Sequence, residues 1–310
     1  MVIMISEKPF LEKEYMQTVS IGHRKKFAQF FTPEQIAIFM SKWILGKKSI
    51  ETILEPAFGL GIFSRTLLKS KSDLIIKGYE VDKIIFQTAK RYFNNIGNLS
   101  LYNADYIYND WANKYDGIIC NPPYFKFHDY DNKNVLKEIS NKLSFKLSGF
   151  TNLYALFLLK SIFQLNESGR LAYIVPSEFL NSDYGIKIKD YLIKNRVLRY
   201  VIVINFKENV FDDALTTACI LLCAKDSHSQ KIGFINISSL SELETINHLI
   251  EKYPSDQDRF TYYNMSELDS TYKWKKYYQN QNSFYYKNLV PFSKYAKVSR
   301  GIATGANGYF

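Results

Sequence analysis

Cysteine is scarce in this chain of 310 residues, and Cys120, Cys219 and Cys223 have no metal-site spacing. The four histidines are scattered, so neither a zinc centre nor a disulfide framework is expected. Cys219 and Cys223 fall in the apolar run from Thr217 to Ala224, where a free thiol behaves as a small hydrophobe. Long apolar runs are missing too: none approaches the roughly 20 residues that cross a bilayer. Glu7 interrupts the apolar start, Met1 to Ile5, too early for a secretory leader. These absences exclude a membrane partner and point to a cytoplasmic protein. Acidic residues are the scarcer charge, 30 against 40 Lys and Arg, which leaves a net charge of +10 and a pI near 9.2. A basic surface attracts polyanions, nucleic acid among them. Many Lys- and Asn-rich proteins are basic without binding any.

No repeat and no low-complexity linker interrupts the chain. Short apolar runs with strand character fall at Thr52–Leu54, Leu74–Tyr79, Leu99–Tyr102, Gly117–Cys120, Leu171–Val175, Arg199–Ile204 and Thr216–Cys223. Helical periods lie between them at Ile62–Lys69, Lys83–Asn94, Leu153–Leu165 and Ile186–Lys194. Leu153, Phe157, Leu158 and Ile162 recur at helical spacing and are expected to face a sheet. Alternation of this kind predicts an α/β fold with a mostly parallel sheet and helices on both faces. The last strand follows a loop instead of a helix, which predicts an antiparallel strand there. Beyond Ser239 the pattern weakens. Tyr262 to Lys287 mixes aromatics with cations, including Trp274, Lys275 and Lys276, and suits base stacking or a domain interface equally.

The stretch Leu54-Glu55-Pro56-Ala57-Phe58-Gly59-Leu60-Gly61 follows a strand and opens a helix. Gly59 and Gly61 permit a tight turn and close approach of a ligand to the backbone. The third glycine of the dinucleotide pattern is absent, and Glu55 would repel a phosphate. A carboxylate there better suits a cationic amine or a sulfonium. Glu80 lies about 20 residues beyond the glycines, where an acid can take both ribose hydroxyls. Asp105 and Tyr106 follow the next strand, where Asp105 can accept from an adenine amine and Tyr106 can lie against the ring. Each acid alone reads as a solvated strand end. Three of them at successive strand ends beside a glycine turn read as a nucleoside site.

Cys120-Asn121-Pro122-Pro123-Tyr124 follows the fourth strand on the same edge. Consecutive prolines hold the loop extended and remove N–H donors. What remains are acceptors, the Asn121 side-chain oxygen and the Pro122 carbonyl. Two acceptors on an aromatic amine draw its lone pair out of conjugation and stabilise charge that develops as the amine reacts. Tyr124 can stack on the base. No cysteine stands where a cytosine-C5 nucleophile would, and Cys120 is expected to face the sheet.

The order of these motifs resembles the gamma-class amino-methyltransferases of bacterial restriction–modification systems, over roughly residues 20 to 225. Gln29-Phe30-Phe31-Thr32-Pro33 is similar to that family's N-terminal Phe-Thr-Pro element, with Ala28 where glycine is common. Asn152 to Phe157 and Gly169 to Pro176 extend the match. The resemblance implies a Rossmann-like S-adenosylmethionine-dependent methyltransferase fold. It also implies methyl transfer to N6 of a flipped adenine in double-stranded DNA, with S-adenosylhomocysteine as product. It places Thr32 and Glu55 at the methionine end of the cofactor, Ala57, Gly59 and Gly61 in the turn around it, Glu80 at the ribose, and Asp105 and Tyr106 at the adenine. Asn121 and Pro122 would hold the target amine. Tyr124 would stack on one face of the target base and Phe211 on the other, with Phe206 as a nearby rival for the second position.

Rivals share parts of this pattern. Cytosine-N4, RNA and release-factor glutamine methyltransferases share the chemistry or the Asn-Pro-Pro-Tyr string, and a non-catalytic DNA-binding module could keep the fold. Intact Glu80, Asp105 and Asn121 argue against the last. The expected organisation is an N-terminal extension over residues 1–20, a catalytic domain over 21–260, and over 261–310 a linker with the start of a target-recognition domain. The chain ends among Gly301 to Gly308, which reads as a loop entering another unit, so a fragment of a longer protein is expected. The expected molecule is a monomer, acting alongside a cognate restriction endonuclease without a stable complex.

Overall fold

Residues 11–47, 49–124, 133–147, 152–205, 217–279, 290 and 292–297 are described by the structure, a computed structural model. Nine strands form one sheet: β1 (Thr52–Glu55), β2 (Ile75–Glu80), β3 (Leu99–Asn103), β4 (Tyr115–Cys120), β5 (Leu165–Pro176), β6 (Leu198–Ile204), β7 (Ala218–Ala224), β8 (Lys231–Ile237) and β9 (Thr261–Asn264). Their spatial order is β3-β2-β1-β4-β5-β7-β6-β8-β9. The pairs from β3 through β5 are all parallel, β7 runs antiparallel to β5 and β6, and β8 returns parallel to β6. The expected mostly parallel sheet and its antiparallel seventh strand are both present. The sequence reading missed β8 and β9, whose apolar positions are interrupted by Gly233 and Asn236 and by exposed Thr261 and Asn264.

Strands β6 and β7 are apolar throughout apart from Arg199, and every residue in them is buried. That is the pattern of strands covered on both faces. Leu54, Ile118, Cys120, Tyr173, Val201 and Leu221 belong to one core layer and Ile53, Ile119, Ile174, Ile202 and Ile220 to the other, so side chains alternate between faces with period two. The first layer is roofed by α7 (Leu153–Phe163) and α8 (Gly185–Lys194), with α6 (Lys133–Leu143) beside α7. On the opposite face lie α3 (Glu34–Leu45), α4 (Ile62–Ser70) and α9 (Glu242–Ile250). Helix α7 is buried from Leu153 through Ile162 on all sides, not on one stripe, because α6, α8 and the sheet enclose it.

Order reverses between β1 and β4: β2 and β3 build outward on one side, β4 and β5 on the other. Open α/β sheets bind ligands at the carboxyl ends of strands at such a point. Two short N-terminal helices, α1 (Leu11–Thr18) and α2 (Ile21–Lys26), stand near that edge, and α5 (Lys83–Tyr92) follows β2. Tyr277 in α10 (Lys275–Tyr278) and neighbouring Trp274 pack on Phe234 of β8. A first compact unit extends to Tyr278. In the second unit, Gln279–Phe310, the described residues include a single 3-10 turn at Phe292–Lys294.

Candidate active site

A cavity of about 290 Å³ opens at the carboxyl ends of β1, β2 and β4 and the loop after β3. Thr32, Glu55, Ala57, Gly59, Glu80, Asp105, Tyr106 and Asn121 all line it. The structure therefore brings together residues that lie far apart in sequence and that were singled out on separate grounds. Gly61, Pro122 and Tyr124 are not part of the lining, although Pro123 is. Phe211 and its rival Phe206 lie outside the described residues.

Both turn glycines adopt the left-handed backbone, φ 54° at Gly59 and 71° at Gly61. A Cβ on Gly61 would sit 2.6 Å from the rings of Phe58 and Phe93, so its part is the turn itself and the packing behind it. The turn delivers Glu55, which is 1% exposed. Its Oε2 accepts from the N–H of Ser64, at 3.0 Å, and from the Ser64 hydroxyl. Oε1 is buried with no hydrogen-bond partner among the described residues. Burial pushes the Glu55 carboxyl up to about 8, against the pull of the Ser64 bonds, Arg65 and the nearby Phe63 N–H. A buried carboxyl with one oxygen unpaired beside a cavity matches a cationic group of a ligand, which would restore its ionised form.

Glu80 is better held. Gly59 N–H donates to its Oε2 at 2.9 Å and Asp82 N–H to its Oε1 at 2.8 Å, which fixes the carboxylate against the glycine turn. Burial still raises it to about 7, since those N–H bonds only partly offset desolvation. Each oxygen keeps lone-pair capacity for a ribose hydroxyl. Asp105 turns its own loop, with Oδ1 accepting from Ile107 N–H at 2.8 Å. Tyr106 lines the cavity, while its hydroxyl is sunk in the core against Gln164 Oε1 at 2.6 Å and Ser161 Oγ at 3.0 Å. The set fits an adenosyl ligand with a cationic amino-acid tail: an unpaired acid, a diol acceptor and an aromatic wall.

The amide of Asn121 donates both its hydrogens, to the Phe30 carbonyl at 2.9 Å and to Thr32 Oγ1 at 3.1 Å. With the amide nitrogen engaged, Oδ1 is the atom left to accept. The Phe-Thr-Pro element thus orients the loop residue as well as bordering the cavity. Tyr124 is anchored by its hydroxyl, which donates to the Ile174 carbonyl at 3.2 Å, and its ring stacks on Phe30 with centroids 5.9 Å apart.

The N-terminal segment covers the site, and Glu12 does so from within the extension expected over residues 1–20. Glu12, Lys26, Gln29, Phe30 and Phe31 all line the cavity. Glu12 pairs with Arg65 of α4, and Asp82 Oδ2 accepts from Gln29 Nε2 at 2.6 Å and lies 2.8 Å from His23 Nε2. Asp82 Oδ1 caps α5 through Ile84 N–H, so one side chain joins the rim of the site to the cover. The signal available was Leu11 and Tyr15, one turn apart, which bury against Leu60 and Ile85. Val81, 54% exposed on the rim, was also missed; an apolar side chain left bare there offers a surface to a flat ring. Trp274 is fully buried, with Nε1 donating to the Asp269 carbonyl, and so serves the interior instead of a nucleic acid.

The family described as N-6 DNA methylase matches residues 14–298. The chain is similar to the type II methyltransferase M.AccI of Acinetobacter calcoaceticus, at 62% identity over 300 residues, which is 97% of this chain and 56% of that protein. It is 28% identical to the type II methyltransferase M.HincII of Haemophilus influenzae over 229 residues, 73% of this chain and 43% of that protein. The chain thus spans about half the length of these curated relatives. Among solved structures, a type I restriction–modification methyltransferase subunit from Streptococcus thermophilus superposes with a TM-score of 0.70 at 20% identity, over 81% of this chain and 60% of that one. A protein from Listeria monocytogenes assigned as a class I S-adenosylmethionine-dependent methyltransferase gives 0.63 at 21%, over 79% and 76%. The fold is that of S-adenosylmethionine-dependent methyltransferases.

Proposed function

Because the chain belongs to the N-6 DNA methylase family, we propose that it is the catalytic part of a site-specific DNA methyltransferase that moves the methyl group of S-adenosylmethionine to N6 of a flipped adenine. The observation that carries this reading is the amide of Asn121, held by Phe30 and Thr32 in the wall of the cavity that Glu55 and Glu80 also line. Bound S-adenosylmethionine supplies an electrophilic methyl on a sulfonium. The chain's own residues do the rest. Glu55 takes the cationic amino group, Thr32 borders the same end, Glu80 takes the ribose diol, and Asp105 and Tyr106 receive the adenine. Asn121 Oδ1 and the Pro122 carbonyl accept from the target amine, localise its lone pair and stabilise the charge that forms on nitrogen. Holding donor and acceptor in line supplies much of the acceleration.

Extruding a base costs a few kcal/mol, and stacking on an aromatic returns roughly 1–3 kcal/mol per ring. Tyr124 is proposed for one face of the base and Phe211 for the other. The substrate is duplex DNA. The proposed setting is a restriction–modification system in the cytoplasm, where the methyltransferase acts as a monomer and forms no stable complex with its cognate endonuclease. Readout of the DNA sequence is assigned to residues that follow the catalytic unit.

The test expresses the complete reading frame in a host without DNA methylation and quantifies modified nucleosides in its genomic DNA by mass spectrometry. N6-methyladenine is expected, and Asn121→Ala should lower it by about 100-fold or more. N4-methylcytosine instead would move the target base. No modified base from a protein that binds the cofactor would overturn DNA as the substrate.

A further inference from the structure

Helix α7 carries a lysine in the protein interior. Its sequence, LYALFLLKSIF, is apolar except at Lys160 and Ser161, and Gln164 follows directly; all three have no exposed surface. A helix that only needed to fill the core would carry leucine there, because a buried ammonium is unfavourable unless its hydrogens are met. Here they are met by one segment. Lys160 Nζ donates to the carbonyls of Tyr106 and Asn109, and lies 3.8 Å from the centroid of the Tyr106 ring and 4.7 Å from that of Trp111. Ser161 Oγ and Gln164 Oε1 meet the Tyr106 hydroxyl, and Gln164 Nε2 donates to the carbonyls of Asp110 and Asn113. All of these partners lie in the loop between β3 and β4, which brings Asp105 and Tyr106 to the cavity.

We propose that Lys160 is a positioning residue for the cofactor: without reaching the cavity, it holds the Tyr106 and Asn109 carbonyls so that the loop presents Asp105 and Tyr106 to the adenine. This rests on the cofactor site assigned above. Charge is what distinguishes lysine from an apolar filler, since bonds from an ammonium are roughly twice as strong as those from a neutral donor. The charged groups around it are Asp105 and Asp110 on the loop and Lys142 on α6. Burial lowers the Lys160 ammonium to about 7, with Lys142 pushing the same way and Asp110 and Asp105 opposing. The firm hold is therefore present below neutral pH and weakens above it, as the amine loses its charge.

The experiment measures affinity for S-adenosylhomocysteine and for 5′-methylthioadenosine, by calorimetry, from about pH 6 to about pH 9. It uses the whole chain as wild type, Lys160→Met and Lys160→Gln, with a thermal melt of each ligand-free protein. Both variants should bind both ligands about 10-fold more weakly than wild type at the acid end, narrowing to within about threefold at the alkaline end. An equal loss for methylthioadenosine, which has no amino-acid tail, places the effect at the adenine half. Should Lys160→Met not fold, Lys160→Gln, which keeps N–H donors, gives the same reading. A loss that does not change with pH would mean packing alone and overturn the proposal, as would wild-type affinity in a folded variant. Wild type that binds neither ligand would remove the cofactor site itself, and this inference with it.

Discussion

At the β6–β7 end of the sheet Arg199 is 1% exposed, and its guanidinium donates to the Tyr253 hydroxyl, to the carbonyls of Arg196, Leu198 and Asp226, and to Asp226 Oδ1. At the β1–β2 end Glu55 is equally hidden, and one of its two oxygens has no hydrogen-bond partner among the described residues. The consequences run in opposite directions. Burial alone would raise Asp226, but the Tyr253 hydroxyl, Arg199 and the His228 N–H outweigh it and hold that carboxyl below the usual range. Glu55 and Glu80 are instead pushed up to about 8 and about 7. One end of the molecule has completed its buried charges and is structural. The other keeps a charge incomplete, which is a state that a ligand can finish.

Breaking the completed end should have the larger effect. Arg199→Met leaves the half-buried Asp226 without its cation, and the loss expected is about 1.5–3 kcal/mol. It reads as a fall in Tm or in the denaturant midpoint, with cofactor affinity of the folded fraction unchanged. A variant as stable as wild type would mean that the network contributes little and that the contrast is only geometric.

At the incomplete end the sign reverses. A carboxyl whose folded pKa is raised holds a proton that the unfolded chain releases, so ligand-free stability falls as pH rises from the unfolded value near 4.5 toward 8. Glu55→Gln removes that penalty. Its Tm should match that of wild type near the acid end of this window and exceed it by a few degrees at the alkaline end. A variant that is less stable throughout would show that Glu55 is structural, as Arg199 is.

How far the sequence carried the reading follows the same division. Glu55, Glu80, Asp105 and Asn121 were legible because each follows a strand and none could be explained by packing. The sheet from β1 to β7 was legible from continuous apolar runs. Strand β8 escaped because Gly233 and Asn236 break its run, and β9 because half its residues are exposed. Helix α1 escaped because its apolar contacts, Leu11 and Tyr15 on Leu60 and Ile85, exist only once the chain has folded back on itself. Nothing in the helical period marks Lys160 as buried, and its loop partners, more than 50 residues away in sequence, explain its burial. Asn121 is legible as a residue, but the direction of its amide is not, because Phe30 and Thr32 set it across 91 and 89 positions.

The most direct measurement is calorimetric titration of S-adenosylhomocysteine near neutral pH in buffers of different ionisation enthalpy, with wild type and Glu55→Gln side by side. If the unpaired carboxyl takes the cationic amine, it ionises on binding, and wild type should release a large fraction of a proton that Glu55→Gln, binding more weakly, does not. Binding with the same proton count in both proteins, or no binding by folded wild type, would contradict the account.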